Sequence, residues 1–208
     1  MRVYYRKNKL PRLESGRLLL RELGLEDISE EYLAWLNDPV TTQYLEVRLN
    51  AQTRERVTRY VLEHLENIEN SMFFGVYTSL PEQETLIGTI GLNSVSRYHG
   101  NAEISFVIGH PQAQGKGFGT EAVHAACAYM FLAENFRRLG SGHYEKNIGS
   151  RKILERNGFK REGVRRLCRR TVDGDFTSDI TYGLLREEFS PDPSLLGDQG
   201  EIVIHANE

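Results

Sequence analysis

Seven residues, Gln114-Gly115-Lys116-Gly117-Phe118-Gly119-Thr120, carry the plainest chemical signal in the chain. Glycines alternate through them, so backbone amides can approach a ligand with no Cβ in the way. A helical pattern runs on from Glu121 to Glu134, and the unpaired N–H groups of its first turn add partial positive charge at the same point. Amides and a helix start that converge make a seat for a phosphate or pyrophosphate. The spacing is not that of a Walker loop, because no Gly-Lys-Ser/Thr closes it. Nor does it fit a dinucleotide fingerprint, which needs a parallel strand ahead and an acidic residue about 20 residues on. As a bare pattern the stretch also fits a surface turn, so its neighbours must decide.

Those neighbours read as alternating strands and helices. Residues 1–12 form a basic, unpatterned arm, and Arg17-Leu18-Leu19-Leu20-Arg21-Glu22-Leu23 reads as a first strand. Ile28, Tyr32, Trp35 and Leu36 fall at three- and four-residue spacings on one helix, which Pro39 stops. Thr53 suits the N-cap of a second helix with Val57, Val61, Leu65 and Ile68 on one face. Strands are expected over Met72–Ser79, Thr85–Val95 and Ala102–Gly109, joined by hairpin-length loops. After the glycine loop and the helix Thr120–Glu134 come a strand over Arg137–Tyr144 and a helix over Ile148–Asn157, which Gly158 ends. A last hairpin, Phe159–Val172 and Asp175–Glu187, turns at Asp173-Gly174. Residues 190–208, rich in Pro, Ser and Gly, are expected to be a mobile tail, although Ile202-Val203-Ile204 suits a short edge strand. The order predicts an α/β chain with one central, mostly antiparallel sheet of about seven strands and about four flanking helices.

Composition narrows the class. With 208 residues, 39% hydrophobic and 26% charged, the chain is long enough for one well-cored domain. Its net charge of −3 argues against general affinity for DNA. No apolar run reaches the roughly 20 residues of a membrane span, and Met1–Lys7 lacks the apolar stretch of a secretory signal. A cytoplasmic setting is therefore expected. Cys127 and Cys168 have no metal-like spacing, so no metal is expected, and Cys127 lies in an Ala-rich helix where a small buried hydrophobe is the simpler reading.

The glycine loop resembles the Gln/Arg-x-x-Gly-x-Gly/Ala motif of the GNAT acetyltransferase superfamily. Thr120-Glu121-Ala122 opens the next helix as in its RimJ/RimL-type branch. Asn147-Ile148-Gly149-Ser150, followed by Ile153 to Phe159, is similar to that branch's Asn-x-x-Ser…Gly-Phe segment, and Leu13 to Arg21 is similar to its first strand. Three separated motifs in order, over roughly residues 13–188, imply the GNAT fold, with residues 13–189 as its domain. The resemblance implies an acetyl-CoA site in a V-shaped gap between Ala102–Gly109 and Arg137–Tyr144. The pyrophosphate would then lie on the amides of Gln114, Gly115, Lys116, Gly117, Phe118 and Gly119, beside Thr120. The pantetheine would run along Phe106, Val107 and Ile108 like an added strand, which the unpaired groups of parted strands would favour. Asn147 and Ser150 would hydrogen-bond it, while Asn147 also suits a helix N-cap.

Acetyl transfer from a thioester to an amine needs a base, an oxyanion donor and a proton for the departing thiolate. The base is expected to be Glu103, with the loop residue His99 second, and the oxyanion donor a backbone N–H near Val107. Many relatives carry a tyrosine as the acid where this chain has Leu154. Ser150 then becomes the donor, with Tyr144 behind it. For the acceptor, Tyr32 to Pro39 and Tyr44 to Arg48 resemble enzymes that acetylate nucleotide-linked amino sugars, and point to Trp35, Glu46, Arg48 and Arg169. Trp35 equally fits a core aromatic. Lys160, Arg161, Arg165, Arg166, Arg169 and Arg170 fit a solvated edge strand, a clamp for phosphate, or a contact with ribosomal RNA. The expected acceptor is a small amine such as a nucleotide-linked amino sugar. The rival is the N-terminus of a ribosomal protein, and a non-catalytic acyl-CoA-binding module is the alternative of another class. A homodimer is compatible with each.

Overall fold

The computed structural model describes residues 10–67, 69–80, 83–196 and 202–205. Strands β1 (Arg12–Ser15) and β2 (Leu18–Glu22) make a tight hairpin, turned at Gly16 with φ +53, which glycine adopts without strain. Ser29 caps α1 (Glu30–Leu36) by accepting from the Tyr32 N–H. Asp38 caps the single turn α2 (Pro39–Thr42), with Pro39 at its first position. A 3₁₀ turn over Glu46–Leu49 follows, then α3 (Arg54–Glu66), capped by Thr53 as its sequence predicts. β3 (Met72–Leu80), β4 (Gln83–Ser96) and β5 (Asn101–Ile108) form an antiparallel meander. Helix α4 (Phe118–Ala128) ends in a π turn over Tyr129–Ala133. β6 (Arg138–Tyr144), α5 (Ile148–Arg156), β7 (Lys160–Arg170), β8 (Phe176–Leu185), the turn α6 (Pro193–Leu196) and β9 (Val203–His205) complete the chain.

The nine strands among the described residues lie in one sheet, in the order β7-β8-β6-β5-β4-β3-β2-β1-β9. Each face buries a hydrophobic cluster. One packs Leu13, Phe74, Ile90, Ile104, Leu139 and Leu184 under α4, with Leu154 of α5. The other packs Tyr32 and Trp35 of α1 and Val57 and Val61 of α3 on Leu19, Phe73 and Tyr77. Seven of the eight strand pairings among the described residues are antiparallel, and the exception positions the site. β5 and β6 run parallel and pair only at Asn101–Arg138, Ala102–Leu139 and Glu103–Gly140.

Two strands go beyond the seven that the sequence predicts. The residues before Arg17 yield β1, which is too short for an alternating pattern to register, and Val203–His205 pairs with it as β9. The arm reaches the core at Leu10, which is buried, while residues 1–9 lie outside the described residues. Much of the C-terminal segment expected to be a mobile tail packs against the domain. Leu196 is buried, Ser15 Oγ donates to the Leu195 carbonyl at 3.0 Å, and the Asp192 N–H donates to His124 Nε2 at 2.9 Å. His124 is itself buried in α4 and hydrogen-bonds Asn157 through Nδ1. Ile68, expected on the α3 face, lies outside the described residues. No helix among the described residues is long and apolar enough to cross a membrane.

Candidate active site

After Glu103 and Gly140 the two parallel strands part. Ser141 Oγ still donates to the Ile104 carbonyl at 2.9 Å, and beyond it β5 has strand partners only on its β4 side. A cleft of about 510 Å³ opens there, with Phe106, Val107 and Ile108 as one wall. Asn147, Ser150 and Ile153 form the opposite wall, Tyr44 and Leu45 rim it, and the glycine loop closes its end. The parting is what a peptide-like ligand arm would exploit, because it leaves backbone groups of β5 without a ladder.

The loop has the geometry of an anion seat. Gly115 and Gly117 adopt φ +74 and +86, a region closed to most side chains. Among the described residues nothing accepts a hydrogen bond from the N–H of Gly115, Lys116 or Gly117. Phe118 and Gly119 open α4, where N–H groups lack intrahelical partners. A Cβ at Gly119 would lie 2.7 Å from Ile153 Cδ1, so that side chain would have to shift to admit one. Thr120 lines the cleft, and its carbonyl accepts from Asn157 Nδ2 at 3.2 Å. The Gln114 side chain points back to the strand, donating to the Ile108 carbonyl at 3.2 Å. Lys116 is exposed and outside the cleft lining.

Asn147 caps α5, its Oδ1 accepting from the Ser150 N–H at 3.0 Å, so its amide NH₂ is left for a ligand. Ser150 Oγ makes no hydrogen bond among the described residues and lines the cleft. Leu154 is wholly buried in the core under α4.

Glu103 sits at the parting point rather than in the cleft lining. Its carboxylate folds over Gly140, where any Cβ would collide with it, and lies 3.9 Å from Arg138 Nη1. Burial pushes its pKa above the usual carboxylate range, while Arg138 pulls it back. His99 is exposed in the β4–β5 turn. The six steps from Asn101 to Val107, at about 3.3 Å each, put it roughly 20 Å from that wall.

Tyr144 anchors the polar rim formed by residues 46–48. Its hydroxyl donates to Glu46 Oε1 at 2.7 Å and accepts from Arg48 Nη2 at 3.1 Å. Burial, then the bond to Glu46, pushes its pKa up. Arg48 also donates to the Arg170 carbonyl at 2.5 Å. Arg169 pairs with Glu46 at 3.1 Å and lies 3.6 Å from Asp179, which Arg165 also holds. The rim is thus a lattice of three guanidiniums and two carboxylates, with the Tyr44 and Tyr144 rings 5.9 Å apart. Trp35 is outside it. The indole is buried beside Tyr32 and covers Gly109, where a Cβ would fall 1.5 Å from the ring.

Two features of the site escaped the sequence reading. Asp179 could have been found as the one charged residue of an otherwise uncharged strand. The bond from Arg17 to Glu121 spans 104 positions, and no local pattern signals it. Cys127 is fully buried and its thiol pKa is pushed up, so it offers no nucleophile. No cluster of His, Cys, Asp and Glu among the described residues is arranged to hold a metal.

The fold and this site define an acyltransferase, and comparison with known proteins gives the family. Residues 17–160 match the model of the acetyltransferase (GNAT) domain, more than half of the chain, so the protein belongs to the GNAT acetyltransferases. It is 29% identical to the uncharacterized N-acetyltransferase YoaA of Bacillus subtilis, over 75% of this chain and 86% of that one. It is 27% identical to the [ribosomal protein uS5]-alanine N-acetyltransferase of Escherichia coli, over 59% of this chain and 61% of that protein. The spermidine N-acetyltransferase of Vibrio cholerae, solved with CoA and spermine, superposes with a TM-score of 0.72 at 21% identity, covering 83% of this chain and 97% of that one.

Proposed function

We propose that the protein transfers the acetyl group of acetyl-CoA to a primary amine by direct attack. The observation that carries this is the parting of β5 and β6 beside a loop of unspent amides. Acetyl-CoA, when bound, supplies the thioester. The amides of 115–119 hold its diphosphate, the free edge of β5 and the Asn147 amide hold the pantetheine arm, and a β5 N–H near Val107 takes the oxyanion. Ser150 Oγ, uncommitted in the cleft, gives a proton to the departing sulfur. Glu103 accepts the amine's proton through water.

For the acceptor, three arginines against two acids at the rim favour an amine that carries phosphate, such as a nucleotide-linked amino sugar. Similarity to the uS5-alanine enzyme favours a protein N-terminus instead. The test is release of CoA thiol with a panel of UDP- and dTDP-amino sugars, polyamines and ribosomal N-terminal peptides. Faster turnover of a peptide than of any amino sugar overturns the sugar reading. Tight CoA binding with no turnover of any amine overturns the transfer reading. A soluble cytoplasmic setting accords with either acceptor.

A further inference from the structure

Arg17 lies just before β2 and outside the cleft lining, yet five of its contacts converge on the glycine loop and the helix turn behind it. Its backbone N–H donates to Glu121 Oε1 at 2.6 Å. Its Nε and Nη2 donate to Glu121 Oε2 at 3.1 and 2.9 Å, and Nη2 also donates to the Lys116 carbonyl at 3.2 Å. The guanidinium rests on the Phe118 ring, 4.3 Å from its centroid. Glu121 is buried in the first turn of α4, only 3% exposed.

Two physical consequences follow. A carboxylate buried directly behind the loop would repel the diphosphate, which carries the same sign of charge. A guanidinium that donates twice to Oε2 cancels it at the shortest range available. The second consequence is geometric. In a planar trans peptide the C=O and the next N–H point in opposite directions. Holding the Lys116 carbonyl on Arg17 therefore turns the Gly117 N–H away, towards the cleft that Gly117 lines.

We propose that Arg17 is a positioning residue for the cosubstrate's diphosphate: it neutralises Glu121 and aims the Gly117 amide at the phosphates without touching them. The proposal rests on the acetyl-CoA reading above. It separates phosphate recognition from pantetheine recognition, which depends on β5 and α5.

The test is calorimetric or NMR titration with CoA, inorganic pyrophosphate and pantetheine, which lacks the diphosphate. Arg17→Gln is expected to weaken CoA and pyrophosphate about tenfold, by the energy of a charge at a helix start, and to leave pantetheine unchanged. Removing the buried carboxylate that this leaves unpaired as well, in Arg17→Gln/Glu121→Gln, is expected to recover about threefold of that loss. Arg17→Lys is expected to fall between, since it keeps the charge and loses the fork. A uniform loss across all three ligands, with a lowered melting temperature, would mean that the pair is merely a structural tie and overturns the proposal. So would unchanged CoA binding, or a double variant no better than Arg17→Gln. If the native protein binds neither CoA nor pantetheine, the fault lies with the acetyl-CoA reading itself.

Discussion

Ser150 Oγ faces the cleft with its proton uncommitted, whereas the Tyr144 hydroxyl already donates to Glu46 and accepts from Arg48. Both were candidates from the sequence, and only their partners separate them. Ser150→Ala should lower kcat by up to about 10²-fold, with little change in the KM for acetyl-CoA. Tyr144→Phe should instead raise the acceptor KM, because it frees the 46–48 segment; steady-state kinetics on each variant tell the two apart. Glu103 needs a different measurement. Its raised pKa puts the acid limb of kcat/KM above the ordinary carboxylate value of about 4.3, because the base works only once deprotonated. In Glu103→Gln that limb should vanish, and the loss of rate should shrink at high pH, where the amine deprotonates unaided. An unchanged pH profile would remove Glu103 from the reaction. Trp35 teaches a related lesson. Its helical spacing marks a buried face, and the indole spends itself covering Gly109.

At the scale of elements, the glycine loop was legible because the demand it meets is local. Positive φ at Gly115 and Gly117 can be met by few other residues, so the sequence advertises it. Gly117→Ala should cost about 1 to 2 kcal/mol in that conformation. It should raise the KM for acetyl-CoA well before it lowers kcat, and pyrophosphate titration would report the same defect directly. The irregular segment from Tyr44 to Arg48 was also readable as a rim, being polar and unpatterned between two helices. What no pattern could supply was its attachment. Arg48 and Glu46 reach residues on β6 and β7 that lie 96 to 123 positions away. β1 was missed for another reason: four residues give alternation too little room, and its pairing with β2 hides in a single turn at Gly16.

For the molecule as a whole, the alternation of strands and helices predicts one sheet with helices on its faces, and that is the architecture found. The docking of the C-terminal segment was not predictable, because its partners, Ser15 and the His124 imidazole, lie 180 and 68 positions away. Buried His124 donates to Asn157 and accepts from the Asp192 N–H, so its neutral form is the one that fits. Burial holds its pKa below the ordinary value, with Asn157 and Asp192 opposing. As pH falls below about 6.5 the unfolded chain binds the proton first, so folded-state stability is full above that value and declines beneath it. Melting temperatures at pH 7.5 and 5.5 should therefore fall further apart in the native protein than in His124→Gln, which keeps the hydrogen-bonding capacity and does not titrate. Equal slopes would clear His124 of that role.

The short parallel ladder has one more consequence. Six strands, from β9 to β5, make one panel, and β6, β8 and β7 make another, and only three residue pairs join them within the sheet. Any ligand lying in the parting replaces hydrogen bonds that this seam lacks. Occupancy then acts as mortar as well as chemistry: at a hundred times its dissociation constant, such a ligand adds about 2.7 kcal/mol to the fold. The amides that gain most protection from hydrogen exchange should be those on the two panels' facing edges, so the enzyme between turnovers is a hinge-weakened version of the one at work.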